Sequence, residues 1–185
     1  MRRRQEADLL AGFHPAQPDT FEPVVLAYQD RLVAFARRLL GNAADAEEVV
    51  QDAFVRAFRH LQRRPRETWG DIELTPWLYR ITLNVCRTYG KARARRRTEE
   101  LPADGALPGA EECAAAVALG MALEAALGRL PAHYRTVVLL RYVHQLTYEE
   151  VACVLGRPLG TVKASVHRGT RLLRQLLASS LGEGG

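Results

Sequence analysis

The side chains best suited to chemistry in this chain are cationic, and they recur at helical spacing. Toward the C-terminus, Thr161, Lys163, His167, Arg168 and Arg171 fall on the outward half of one helix. In the first half, Arg80, Asn84, Arg87 and Lys91 repeat at steps of four, three and four, and Arg93, Arg95, Arg96 and Arg97 follow. Guanidinium and ammonium groups in such rows bind polyanions, because Arg forks two N–H donors onto a phosphate and Lys presents a point charge. Trp69 and Trp77 flank the loop ahead of the first row. A cationic track beside aromatic rings is what single-stranded nucleic acid requires. A plain solvated charge face is the competing reading of the arginines. One of the two tryptophans is expected in the core.

Covalent and metal chemistry find no matching pattern. His14, His60, His133, His144 and His167 are scattered, and none pairs with Cys or carboxylates at ligand spacing. No phosphate-binding glycine loop and no nucleophile elbow is present. No cofactor, no metal and no enzymatic activity are therefore expected. Cys86, Cys113 and Cys153 form no CxxC pair, and their odd number argues against a disulfide framework. They read as structural thiols of a reducing cytoplasm.

The 185 residues allow one ordinary domain or two small ones, and the 48% hydrophobic, 25% charged composition is that of a folding chain. The formal charge of +5 points to an anionic partner, nucleic acid first. No apolar run reaches ~18 residues, so no membrane insertion is expected. Met1-Arg2-Arg3-Arg4 leads into no long apolar segment, so no signal peptide is expected either. The charge is unevenly spread. Residues 1–97 carry eighteen bases and twelve acids, residues 98–126 six acids and no base, and residues 127–185 eight bases and three acids. Two basic bodies are thus joined by an acidic segment. Its Leu101-to-Pro108-Gly109 stretch lacks helical period, so residues 98–111 read as a flexible linker.

Both bodies read as helical. Asp19 and Glu22 have capping-box spacing, and Val25, Tyr28, Leu32, Phe35, Ala36 and Leu39 form one face behind them. Gly41-Asn42 stops that helix and caps the next. Ala46, Val49, Val50, Ala53, Phe54, Ala57, Phe58 and Leu61 then make the most regular apolar stripe in the chain. Its opposite face runs from acidic (Asp45, Glu47, Glu48, Asp52) to basic (Arg56, Arg59, Arg63, Arg64), an order that suits the helix dipole. Thr75 is a candidate N-cap with Pro76 at the first helical position, and Leu78, Ile81, Val85 and Tyr89 point inward behind them.

In the second body, helices are expected over Ala114–Leu130 and Ala132–Tyr142. Thr147 and Glu150 then have capping-box spacing, Ala152 is small where a following helix crosses, and Gly156 suits a left-handed helix end. Pro158 can start the next helix, whose Val162, Val166 and Leu173 face inward. This is a helix-turn-helix pattern, whose second helix enters the DNA major groove.

In their order and separation, the two halves resemble a bacterial RNA polymerase sigma factor of the extracytoplasmic-function (ECF) subfamily. Three stretches carry the resemblance: Asp45 to Phe54, Thr75 to Asn84, and Leu146 to Arg168. It implies an all-α fold of two small helical domains, a region-two bundle and a region-four helix-turn-helix, joined by the flexible acidic linker. The boundaries expected are an N-terminal tail 1–18, region two 19–97, linker 98–111, region four 112–178 and a C-terminal tail 179–185. The implied function is promoter-specific transcription initiation in the cytoplasm, with core RNA polymerase and promoter DNA as partners. Asp45, Glu48, Gln51 and Asp52 match the polymerase-binding helix. The loop of roughly residues 66–76 matches the segment that captures the non-template single strand. Behind it, Arg80, Asn84, Arg87 and Lys91 match the minus-ten reader. Thr161, Lys163, His167, Arg168 and Arg171 match the reader of the minus-thirty-five duplex. Gly169 departs from the family's usual Ala, and a mid-helix glycine costs ~1 kcal/mol relative to Ala. The linker either mimics nucleic acid in a basic channel or is a plain tether. An anti-sigma factor that clamps the free, monomeric protein is the further implied partner.

A self-contained helix-turn-helix regulator is the alternative from another class. It accounts for the C-terminal half and leaves the acidic helix, the basic third helix and the linker unexplained.

Overall fold

The computed structural model describes residues 2–97 and 114–182, with side chains given for 3–93 and 119–179. The expected linker 98–111 and Cys113 lie outside these residues. The chain divides into two compact units, one containing the helices of residues 2–97 and the other most of the helices of residues 114–182. Every regular element among the described residues is helical.

In the first unit α1 spans Arg2–Ala11, α2 Glu22–Leu40, α3 Ala43–Arg63 and α4 Leu74–Arg97. α3 forms as its pattern requires. Asn42 caps it, its Oδ1 accepting from the Asp45 N–H at 3.1 Å. All of its expected apolar stripe is buried except Phe58, which is half-buried. The inner face of α2 is the expected one at Tyr28, Leu32, Phe35 and Ala36, all buried; it starts one residue earlier, at fully buried Val24, while Val25 and Leu39 are half-buried. The Asp19 capping box does not form. Asp19 lies in a 3₁₀ turn, Pro18–Phe21, and Phe21 precedes α2 without a side-chain cap. Thr20 holds the approach instead, its hydroxyl accepting from the His14 N–H at 2.8 Å and bonding to the Gln17 carbonyl at 2.6 Å.

Two further expectations differ. Residues 2–18 are not a tail among the described residues, because Leu10 and Phe13 are core residues and Glu6 is buried. Phe13 packs on Trp69, Phe21 and Phe58 with ring centroids 5.1, 5.6 and 5.6 Å away. Thr75 is not the N-cap of α4, which begins one residue earlier at Leu74. Its hydroxyl is buried against the Tyr28 hydroxyl at 2.9 Å and Glu6 Oε1 at 2.5 Å.

In the second unit α5 spans Ala114–Arg129, α6 Ala132–Val138, α7 Tyr148–Leu155 and α8 Leu159–Gly182. The expected helix to Tyr142 loosens into a π-helical turn over Leu139–Val143, where the His144 N–H reaches the Leu139 carbonyl at 2.9 Å. The wider turn lets Leu139, Leu140 and Leu146 all reach the core, and it leaves Tyr142 exposed. The segment expected to be a tail from residue 179 continues α8 to Gly182.

The capping box at α7 closes reciprocally. The Thr147 N–H donates to Glu150 Oε2 at 2.7 Å, and the Glu150 N–H donates to Thr147 Oγ1 at 3.1 Å. Gly156 ends α7 with φ +61°, a conformation that side chains with a Cβ rarely adopt. Val162 and Val166 are fully buried, as their spacing requires, and Leu173 is half-buried. Gly169 marks a close helix crossing. A Cβ there would lie 3.0 Å from Val138 Cγ2, 3.3 Å from Tyr134 Cβ and 3.4 Å from the Tyr134 carbonyl. The glycine that helix propensity disfavours is therefore where α8 crosses α6. Ala152, the residue expected at a close crossing, is half-buried.

Candidate nucleic-acid and protein interfaces

Three outward faces result, each built on a helix whose other side is committed to a core. On α4, Leu74, Leu78, Tyr79, Thr82, Leu83, Val85 and Cys86 are buried. That leaves Arg80, Asn84, Arg87 and Lys91 together on the exposed side. Ile81 and Tyr89, expected inward, are half-buried. The two tryptophans separate. Trp69 is the core residue, its Nε1–H donating to the Arg64 carbonyl at 3.2 Å, with the Arg66 guanidinium 5.7 Å from its ring centre. Trp77 is half-buried beside the His60 ring at 5.5 Å. Of the two rings, only Trp77 keeps substantial exposure near this face.

On α3, Glu48 and Gln51 are exposed and Asp45 and Asp52 half-buried. They are not equivalent. Asp45 ties α3 to α4: it accepts from the Tyr89 hydroxyl at 2.8 Å and pairs with the Arg93 guanidinium. This bond is the main reason the Tyr89 hydroxyl is pushed up to about 12. Arg93 stood in the outward cationic row, and its partner was not evident from sequence. An Asp in the first turn of α3 and an Arg two turns beyond Val85 have no fixed relation until the helices pack. Asp52 makes a two-pronged pair with Arg56, at 3.0 and 2.8 Å, on the exposed surface. Glu48 and Gln51 have the most open side chains of the four.

On α8, Thr161, Lys163, His167, Arg168 and Arg171 are all exposed, opposite buried Val162, Val166 and Gly169. The first turn of α8 places free N–H groups and the positive helix end beside Thr161, a favourable setting for a phosphate. Tyr148 sits between two cations, Arg141 at 4.9 Å and Lys163 at 5.9 Å from its ring centre. Arg141 also donates to the Leu146 carbonyl at 3.1 Å. Arg141 is thereby held next to the exposed face of α8. It escaped the sequence reading because it lies a full element upstream. Exposed Arg157, in the turn itself, likewise adds charge at this end.

No group of three His, Cys, Asp or Glu among the described residues is placed to hold a metal ion. Cys86 is buried, and burial pushes its thiol up to about 12. No described helix is long and apolar enough to cross a membrane.

Comparisons with known proteins match both halves of the chain. The family model for sigma-70 region 2 matches residues 24–97, and that for sigma-70 region 4 matches residues 120–173. The chain is 37% identical over 177 residues to the ECF RNA polymerase sigma factor SigE of Mycolicibacterium smegmatis, covering 93% of this chain and 66% of that one. It is 32% identical over 177 residues to the ECF RNA polymerase sigma factor SigW of Bacillus subtilis, covering 86% of this chain and 89% of that one. Among solved structures, the sigma factor RpoE bound to the anti-sigma factor NepR from Bartonella quintana superposes with a TM-score of 0.71 at 25% identity, over 85% of this chain and 96% of that one. CnrH in complex with the cytosolic domain of CnrY gives 0.66 at 26% identity, over 96% of this chain and 97% of that one.

Proposed function

This chain belongs to the ECF sigma factors, non-enzymatic proteins of bacterial transcription initiation, and from that premise we propose that its three faces divide the work of promoter recognition. The α3 face, with Glu48, Gln51 and Asp52 outermost and Asp45 anchoring its base, binds core RNA polymerase. The α4 face, with Arg80, Asn84, Arg87 and Lys91, takes the non-template strand of the opened minus-ten element. The α8 face, with Thr161, Lys163, His167, Arg168 and Arg171, enters the duplex major groove at the minus-thirty-five element. Residues 19–97, together with the packed segment 2–18, and residues 112–178 are the functional domains, and 98–111 is the tether between them.

The observation that carries this reading is that each face falls inside a matched region and on a helix side that packing leaves outward. Arg80 to Lys91 lie within residues 24–97, and Thr161 to Arg171 within residues 120–173. The physical roles follow from residue type. Guanidinium and ammonium groups on α4 and α8 neutralise phosphates, so binding weakens steeply with salt. An extruded base costs a few kcal/mol in lost stacking, which a firm hold on the displaced strand must offset. Asn84 offers a donor and an acceptor for a base edge or sugar-phosphate. On α8, the N-terminal residues meet base edges and the helix end meets phosphate. The solved relatives are held by an anti-sigma factor in one case and a cytosolic protein domain in the other. We extend the first arrangement to this chain: an anti-sigma factor silences the free monomer in the cytoplasm.

The test is to add the purified protein to sigma-free bacterial core polymerase and sequence the transcripts made on genomic DNA of its own source. Defined starts preceded by two spaced boxes are the expected result. Tight binding of the protein alone to a palindromic duplex, with no core-dependent initiation, would replace this reading with the self-contained regulator.

A further inference from the structure

The segment ahead of the matched residues 24–97 makes contacts that converge on one place. In α1, Glu6 is buried and accepts the Thr75 hydroxyl proton at 2.5 Å. With that proton committed, the Tyr28 hydroxyl donates to Thr75 Oγ1 at 2.9 Å, which makes a chain from α2 through the start of α4 to α1. Arg3 pairs with Glu73. Arg66 donates to the Ala11 carbonyl at 2.8 Å, Gln62 donates to the Pro15 carbonyl at 3.0 Å, and Phe13 is fully buried against Trp69. Each of these partners lies between residues 62 and 75, on or beside the loop that joins α3 to α4.

That loop is anchored by buried Trp69, and its own bonds are all short-range. It is a six-residue 3₁₀ turn, Arg66–Asp71, closed by short-range bonds such as Thr68 Oγ1 to the Pro65 carbonyl at 2.7 Å. A cleft of about 330 Å³ stays open between it and α1, lined in part by Leu10, Trp69 and Ile72. On the side facing α1, discrete contacts rather than close packing therefore hold the loop.

We propose that residues 2–21 brace the 66–75 loop in the conformation that captures the non-template strand, with Glu6 and Phe13 as positioning residues. This rests on the assignment of the α4 face and its loop to the minus-ten strand. None of these contacts falls on Asp45, Glu48, Gln51 or Asp52 of α3, and the α8 face belongs to the other unit. Loss of the brace is therefore felt in strand capture and not in polymerase or duplex binding. A hydrogen-bond acceptor at position 6 is what Thr75 needs, so Glu6→Gln keeps most of the effect that Glu6→Ala removes.

The experiment uses full-length protein assembled with core polymerase. The probe is a fork-junction promoter carrying the minus-ten box mapped from its own transcripts, with 2-aminopurine in the non-template strand. Glu6→Ala and Phe13→Leu should each slow the fluorescence rise of strand capture at least tenfold. Affinity for core polymerase and for a minus-thirty-five duplex should stay within twofold of the parent, and Glu6→Gln should recover to within threefold. Arg80→Ala and Asn84→Ala serve as controls on the underlying assignment. If they slow capture and Glu6→Ala does not, the brace is wrong. If none of the variants slows capture, the minus-ten assignment itself is wrong. Equal losses in capture and in core affinity for Glu6→Ala would make residues 2–21 ordinary core structure and overturn the proposal.

Discussion

Reversing the charge of Glu48 and Asp52 together separates stability from binding, because the structure bounds the stability cost in advance. Asp52 and Arg56 form an i,i+4 pair with side chains 43% and 53% exposed. Such a pair contributes about 0.3–0.5 kcal/mol, and a like-charge pair in its place costs a similar amount. Glu48 is exposed and accepts one bond, from the Tyr89 hydroxyl at 3.3 Å, worth at most about 1 kcal/mol. The Glu48→Lys, Asp52→Lys double variant therefore loses about 1–2 kcal/mol, against a typical total of about 5–15. It should stay folded. Asp45 is left intact because its carboxylate holds both Tyr89 and Arg93.

On the binding side, close charge pairs across interfaces couple by about 1.5–7 kcal/mol. The loss of two should weaken core polymerase binding by at least about 2 kcal/mol, roughly thirtyfold. Fluorescence anisotropy of labelled protein titrated with core polymerase reads the affinity, and circular dichroism with thermal melting reads the fold. Raising the salt from about 0.15 to 0.5 M should weaken the parent and narrow its gap to the variant, since exposed charges are screened. A folded variant that binds within threefold of the parent would refute the α3 assignment.

Three further outcomes follow from the same geometry. Gly169→Ala gains ~1 kcal/mol of helix propensity but presses a methyl on Val138 Cγ2 and on Tyr134 Cβ, which is fixed to the backbone and cannot swing aside. It should destabilise the α6–α8 packing by about 1 kcal/mol net, seen as lost hydrogen-exchange protection there and not in α3; a stabilised α8 would contradict the close crossing. Arg168→Ala should cost about 1–3 kcal/mol on the cognate minus-thirty-five duplex and little on a scrambled one. An equal loss on both duplexes would make Arg168 a phosphate anchor instead. The third outcome concerns alkaline pH. Burial, the largest influence on each, pushes both Tyr28 and Cys86 up to about 12, from ordinary values of 10.0 and 9.0. The unfolded chain therefore releases these protons first. Their contribution is complete below about pH 9 and is lost as pH rises toward 12, so the melting temperature should fall across that window. A flat profile would mean that these groups are not held buried and protonated.

Much of the fold was legible because α3, α7 and α8 carry local instructions. The α3 stripe recurs at helical period over about four turns, and Asn42, the Thr147–Glu150 box and Gly156 mark ends through bonds and angles that span four residues or fewer. The outward rows on α4 and α8 were legible for the same reason: once a stripe is buried, the residues between its members face away. The roles proposed for the three faces rest on motif order, and each face lies within a matched region, 24–97 or 120–173.

Tertiary structure decided what depends on distant partners. Glu6 and Phe13 sit in a segment with a basic start and no clear stripe, and nothing nearby reveals that Thr75 and Trp69 will cover them. Thr75 has the local appearance of a cap, yet burial against Tyr28 and Glu6 claims its hydroxyl. Asp45 and Arg93 look like two solvated charges until α3 and α4 pack. Gly169 looks like a flaw in a helix until α6 arrives within 3.0 Å of its absent Cβ. Hydrophobic period and capping are short-range, so sequence alone determined α3, α7 and α8 and the outward rows of α4 and α8, but not α1, which read as a tail. Contacts between residues tens of positions apart follow from chain packing, and only the folded structure assigns them.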